Sequence, residues 1–214
     1  MKTANYEKNV FINCPFDDDY KFLFDALVFA VRDCGFTARC ALEIDNAAQT
    51  RIDKIVKIVS ECQWGIHDLS RTELDANNLL PRFNMPFELG IFLGATWFGD
   101  EHQREKRCLI LDKEKYRYQK FCSDISGQDI SVHDGNIQKA ITLIRNWLQI
   151  GYSDKNIVIP CGSILFQRYE IFEDDLPIIC KNMNLNEKEI IFSDFIFLIE
   201  KWLLKNDWRR VDIL

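Results

Sequence analysis

Two kinds of hydrophobic block alternate along the first 150 residues. Compact apolar runs predict buried strands, and stretches with apolar residues every three or four positions predict helices. NVFIN at 9–13 reads as a first strand that leaves through a Cys-Pro-Phe-Asp turn. A helical pattern from Asp19 to Cys34 sets Phe22, Ala26, Phe29 and Ala30 on one face, and Gly35 stops it. TARCALEI at 37–44 predicts a second strand, Thr50 to Cys62 an amphipathic surface helix, and WGIHDL at 64–69 a third strand. A polar loop over 70–82 leads into an apolar helix. CLIL at 108–111 is the clearest buried strand. Tyr116 to Ile125 then reads as helix, Ile130 to Val132 as a short strand, and Asn136 to Ile150 as a helix. Strand and helix patterns alternating in this way predict an α/β fold, a five-stranded parallel sheet with helices on both faces.

After Ile150 the rhythm changes. Residues 1–150 form the expected α/β domain, GYSDKN at 151–156 a linker, and 151–214 a helical C-terminal extension with a possible strand at IVI, 157–159. The pattern predicts a helix over 163–173, a second begun or kinked at Pro177, and a third started by the Asn186/Glu189 pair and running to about Leu204. Ile190, Ile191, Phe195, Leu198, Trp202 and Leu203 make its wide apolar stripe. These helices either pack back onto the sheet or, being rich in aromatics, offer a self-association surface for a homo-oligomer.

With 214 residues, 47% hydrophobic and 28% charged, the chain can bury a sizeable core. A formal net charge of −6 argues against a nucleic-acid partner or an anionic membrane surface, which need a basic face. The densest basic run, Arg104 to Arg107, reads as a solvated loop. No segment reads as an export signal or a membrane span, so the cytoplasm is the expected location. The eight cysteines form no Cys-x-x-Cys pair, and the three histidines lie far apart. Neither a disulfide framework nor a metal site is expected.

Glu88 is the only ionisable side chain between Phe83 and Gly99. A carboxylate in so apolar a run must reach solvent, a partner or a ligand, because an unpaired buried charge is costly. Pro86 suits the first helical position, which would put Glu88 in the first turn, where the helix dipole favours its ionised form. The plain alternative is an ordinary glutamate at the start of an otherwise buried helix. Gly90 and Gly94 are expected to permit close helix–sheet packing. They do not follow a strand as a dinucleotide fingerprint would, so a Rossmann reading fails.

Three segments recur in order: NCPFD at 13–17 after the first strand, IHDLS at 66–70 on the third, and NMPFELG at 84–90 opening the next helix. Together they resemble nucleotide-binding TIR-like domains and their relatives, the nucleoside 2-deoxyribosyltransferases. Those families carry D-[LS]-[ST] at a strand end followed by N-x-x-[YF]-E-[LI]-G. SDISGQDI at 123–130 is similar to a segment of bacterial TIR-like effectors, and the resemblance covers roughly residues 9–134. Pro86 departs from the small or aliphatic residue usual before the aromatic. The resemblance implies a flavodoxin-like sheet holding a nucleotide, with Glu88 facing the N-ribosidic carbon as the catalytic carboxylate. Asn84 and Ser70 would then hydrogen-bond ribose or phosphate, Asp68 would hold the loop or a ribose, and Phe16 would stack on a base. Asn13 and Cys14 would line the same loop. From the residues alone, Asp68 serves equally to cap the following turn, and Phe16 to fill the core.

The implied activity is an NAD-consuming glycohydrolase or cyclase that cleaves the nicotinamide–ribose bond, of the kind found in bacterial defence, with NAD as substrate and no cofactor. Nicotinamide is already a cationic leaving group, so a fixed carboxylate is sufficient to stabilise the oxocarbenium-like state. The rival readings are a nucleoside deoxyribosyltransferase or N-glycosidase, and a non-catalytic nucleotide-sensing module.

Overall fold

The computed structural model describes residues 5–72, 82–152 and 157–210. Most of the loop over 70–82, and most of the 151–156 linker, lie outside the described residues. Five parallel strands form the sheet: β1 (Asn9–Asn13), β2 (Thr37–Arg39), β3 (Trp64–Asp68), β4 (Arg107–Asp112) and β5 (Ile130–Val132). Their order is β2-β1-β3-β4-β5, the flavodoxin-like order. Helices α1 (Lys21–Asp33) and α5 (Ile137–Gly151) cover one face, and α2 (Arg51–Ser60) and α3 (Asn84–Phe98) the other. A single turn, α4 (Glu101–Arg104), leads into β4. Alternation along the strands divides the core: Val10, Ile12, Ile66 and Leu111 face α1 and α5, while Phe11 packs with Ile58 and Phe92 on the other side.

The extension forms α6 (Gly162–Asn182) and α7 (Phe192–Lys205), which pack over the outside of α1. Phe172, Phe195 and Trp202 enter the same hydrophobic cluster as Phe29 of α1. This second layer explains why α1 is buried almost all round, from Phe24 to Val31, rather than along one stripe. Phe22, expected on the buried face, is instead 67% exposed. Arg168 joins the layers by a two-pronged bond to buried Asp33, at 2.7 and 2.8 Å. At the start of α6, a Cβ added to Gly162 would lie 2.7 Å from the Thr142 backbone of α5. Gly162→Ala should therefore cost about 1–3 kcal/mol by overpacking, read as a lowered midpoint in urea unfolding.

Several local expectations are corrected. Tyr116–Ile125 is not one helix but two 3₁₀ turns, Arg117–Lys120 and Ser123–Ile125, entered through a left-handed Tyr116. The second strand stops at Arg39, and Ala41–Glu43 forms a 3₁₀ turn. IVI makes no strand, because the Ile159 N–H donates to Gln149 and its carbonyl accepts from Arg145 of α5. Pro177 does not interrupt α6. Asn186 and Glu189 close a turn of their own, and α7 begins later, with Asp194 accepting the Ile191 N–H. Gly90 and Gly94 face away from the sheet: a Cβ at either meets nothing within 4 Å. Close approach is provided by Gly65, whose added Cβ would lie 2.7 Å from the Phe92 ring. Only one side of α3 is buried, through Met85, Glu88, Leu89, Phe92 and Leu93, while Phe87, Trp97 and Phe98 are exposed. Among the described residues no helix is long and apolar enough to cross a membrane.

Candidate functional site

In this strand order the connections after β1 and β3 leave the sheet in opposite directions, opening a crevice at the carboxyl ends of the strands. The exit loop of β1 brings Cys14, Pro15, Phe16 and Asp17 to one wall. The start of α3 brings Asn84, Met85 and Glu88 to the other, and Arg51 and Arg82 complete the rim. The cleft so formed measures about 340 Å³, in the range of small-molecule sites. A smaller recess of about 150 Å³, lined by Ile52, Ile55 and Phe87, shares Arg51, Asn84 and Glu88 with it. Glu88 therefore stands where two hollows meet.

Helix α3 begins at Asn84, so Pro86 is its third residue and Glu88 falls in the second turn rather than the first. Proline costs nothing at that position, because the first helical bond is donated by the Phe87 N–H to the Phe83 carbonyl. Glu88 is 5% exposed. Its nearest cation is Arg51, with Nη2 3.8 Å from Oε1 on a side chain that is itself 59% exposed. The carboxylate is thus neither turned into open water nor clamped by an arginine. Burial raises its pKa above the usual glutamate value and Arg51 pulls the other way, the rise winning.

Two further cations gather around Asp17. Asp17 lies 3.3 Å from both Arg71 and Arg82, and it accepts the Tyr20 N–H ahead of α1. Arg51 and Arg82 are the guanidinium groups on the cleft, each more than half exposed. Guanidinium forks suit phosphate oxygens. Cys14 lines the cleft, and burial and the nearby Asp68 push its thiol pKa well up, which disfavours the reactive thiolate form.

The remaining predicted site residues build the wall rather than face the cleft. Asn13 is buried, and its amide donates to the Met85 carbonyl at 2.9 Å while touching His67 Nδ1 at 3.0 Å, anchoring the start of α3 to β1. Asp68 has no exposed surface. One carboxylate oxygen accepts the Ser70 N–H at 2.7 Å, and the other accepts the Tyr20 hydroxyl and faces His133 Nε2 at 3.0 Å. His133 Nδ1 accepts the Gly135 N–H, which places the ring proton on Nε2, toward Asp68. Burial would raise the Asp68 pKa, but the bonds from His133, Tyr20 and Ser70 outweigh it and hold the pKa below the ordinary value. Asp68 and Ser70 are hence a clamp across the ends of β3, β5 and α1, with neither side chain on the cleft. His67 points to the other face, against Phe92 and Phe11, and burial lowers its pKa to about 3. It stays neutral.

Of the predicted residues, Glu88, Asn84, Cys14 and Phe16 converge on the cleft. Arg51, Arg82 and Asp17 were missed as cleft-lining groups, and Tyr20 and His133 as members of the Asp68 network. His133 carried a readable signal, since it directly follows β5 on the same sheet edge as Asp68. Among the described residues no cluster of three metal-ligating side chains occurs. Comparison of the chain with family models, curated proteins and solved structures finds no match.

Proposed function

We propose that the protein cleaves the nicotinamide–ribose bond of NAD, with Glu88 as the catalytic carboxylate. The observation that carries this reading is a buried carboxylate, loosely paired with Arg51, at the meeting of two hollows whose rim also holds Arg82. The bond between the anomeric carbon and nicotinamide breaks with its electron pair leaving on the ring, which becomes neutral. Positive charge grows on the sugar, and a carboxylate held in a partly dry site stabilises it. Water then adds to the anomeric carbon and loses a proton to solvent. Asn84 offers an amide to the ribose hydroxyls, and Arg51 and Arg82 attract the phosphates.

The two arginines favour a nucleotide over the uncharged nucleosides of a deoxyribosyltransferase. Incubating concentrated protein with NAD should release nicotinamide, followed by chromatography, whereas base exchange between deoxynucleosides without nicotinamide release would support the transferase instead. Catalysis requires ionised Glu88, whose pKa is raised. The rate should therefore fall on the acid side with a midpoint above 4.5, the ordinary glutamate value, and a pH–rate profile of kcat/KM reads it. Self-association through the C-terminal helices belongs to the same reading: Ile164, Ile171 and Ile178 lie seven residues apart on α6 and are all exposed.

A further inference from the structure

Phe16 and Asp17 have a second side. Beyond the wall they form, away from Glu88, lies a pocket of about 160 Å³ between the start of α1 and the start of α7. Its walls are ring faces: Phe16 meets Phe24 edge-on at 5.3 Å, and Phe192 and Phe195 close the far side. Its rim carries the carboxylate of Asp18 beside that of Asp17, which is already paired with Arg71 and Arg82. Its one ammonium, Lys21, is paired with Asp25 at 2.5 Å. Leu42 and Ile191 form aliphatic lips.

This chemistry is selective. Aromatic walls take a flat ring; a closed cavity of roughly 150 Å³ holds benzene, so this open pocket seats the amino-bearing six-membered ring of a purine while the rest projects through its mouth. The Asp18 carboxylate at the rim favours a ring or sugar that offers N–H or O–H donors, and it disfavours phosphate. The neighbouring cleft has the complementary character, with Arg51 and Arg82 on its rim. A molecule lying across the shared Phe16–Asp17 wall would meet, in order, an aromatic acceptor-rimmed pocket, two guanidinium groups, and Glu88.

We infer that the pocket between α1 and α7 is a second base subsite, which receives the aminopurine end of a dinucleotide whose other ribose lies at Glu88. This rests on the reading of the Glu88 cleft given above and deepens it by giving the second base of the dinucleotide a place of its own. It also gives the helical extension a part in binding, because α7 supplies half of the pocket wall.

The test uses calorimetry on the full chain carrying Glu88→Gln, which prevents turnover, with NAD and nicotinamide mononucleotide as probes. NAD should bind at least about tenfold more tightly than the mononucleotide. Ile191→Trp, at an exposed lip, fills the pocket and should reduce that ratio about tenfold. Leu42→Trp, from the opposite lip, should do the same and guards against a local misfolding of α7. Mononucleotide binding with no preference for NAD, or a preference that both variants leave unchanged, overturns the subsite alone. Failure of both ligands to bind removes the reading of the Glu88 cleft, and the subsite with it.

Discussion

Glu88→Gln should lower the rate of nicotinamide release by about two orders of magnitude or more while leaving the protein at least as stable. The two effects share one cause. Burial raises the Glu88 pKa, which means that the folded protein holds the ionised form less comfortably than the unfolded chain does. Glutamine keeps the shape and removes the charge. At neutral pH the thermal midpoint should therefore stay level or rise, even as the chemistry stops. A carboxylate that merely filled the start of a helix would show the stability effect without the kinetic one. Steady-state rates and a melting curve on the same preparations separate the cases.

Asp68→Ala should be the most damaging single substitution for the fold. It strips a buried carboxylate from Tyr20, Ser70 and His133 together and leaves their donors without a partner. Breaking a buried charged network of this kind costs about 3–5 kcal/mol, which for a domain of this length lowers the melting temperature by roughly 10 °C. Tyr20→Phe removes one bond to a charged acceptor and should cost about 1.5–3 kcal/mol. The pH dependence follows from the depressed Asp68 pKa. The unfolded carboxyl titrates near 3.8 and the folded one below it. The clamp's contribution is present above the unfolded value and is lost as pH falls through the folded one. Wild type should thus lose more stability than Asp68→Asn on acidification through that window, a comparison that chemical denaturation can make.

Periodicity made the sheet legible because each strand is a short apolar run bounded by polar turns. The exit of β1, IHDLS and NMPFELG also pointed correctly to one edge of the sheet. Two things lay beyond reach. Which side of a segment faces inward depends on what packs against it: α1 looks amphipathic, but α6 and α7 bury its outer side, and α3 looks buried all round although Phe87, Trp97 and Phe98 are exposed. Residues that meet only through tertiary structure were the second. Arg51 and Arg82 come from separate connections, and nothing in either segment marks them as lining the Glu88 cleft. Asp68 shows the same limit from the other direction, since a strand-end aspartate can reach a ligand or a wall. Here Tyr20 and His133, 48 residues before it and 65 after, hold it in the wall.

The most direct measurement is a crystal structure of Glu88→Gln grown with NAD. The anomeric carbon of the nicotinamide ribose should lie within about 3.5 Å of the residue 88 side chain, the separation of a reacting pair, with the phosphates toward Arg51 and Arg82. A dinucleotide bound elsewhere on the molecule, or seated in the cleft with that ribose turned away from residue 88, would contradict the account.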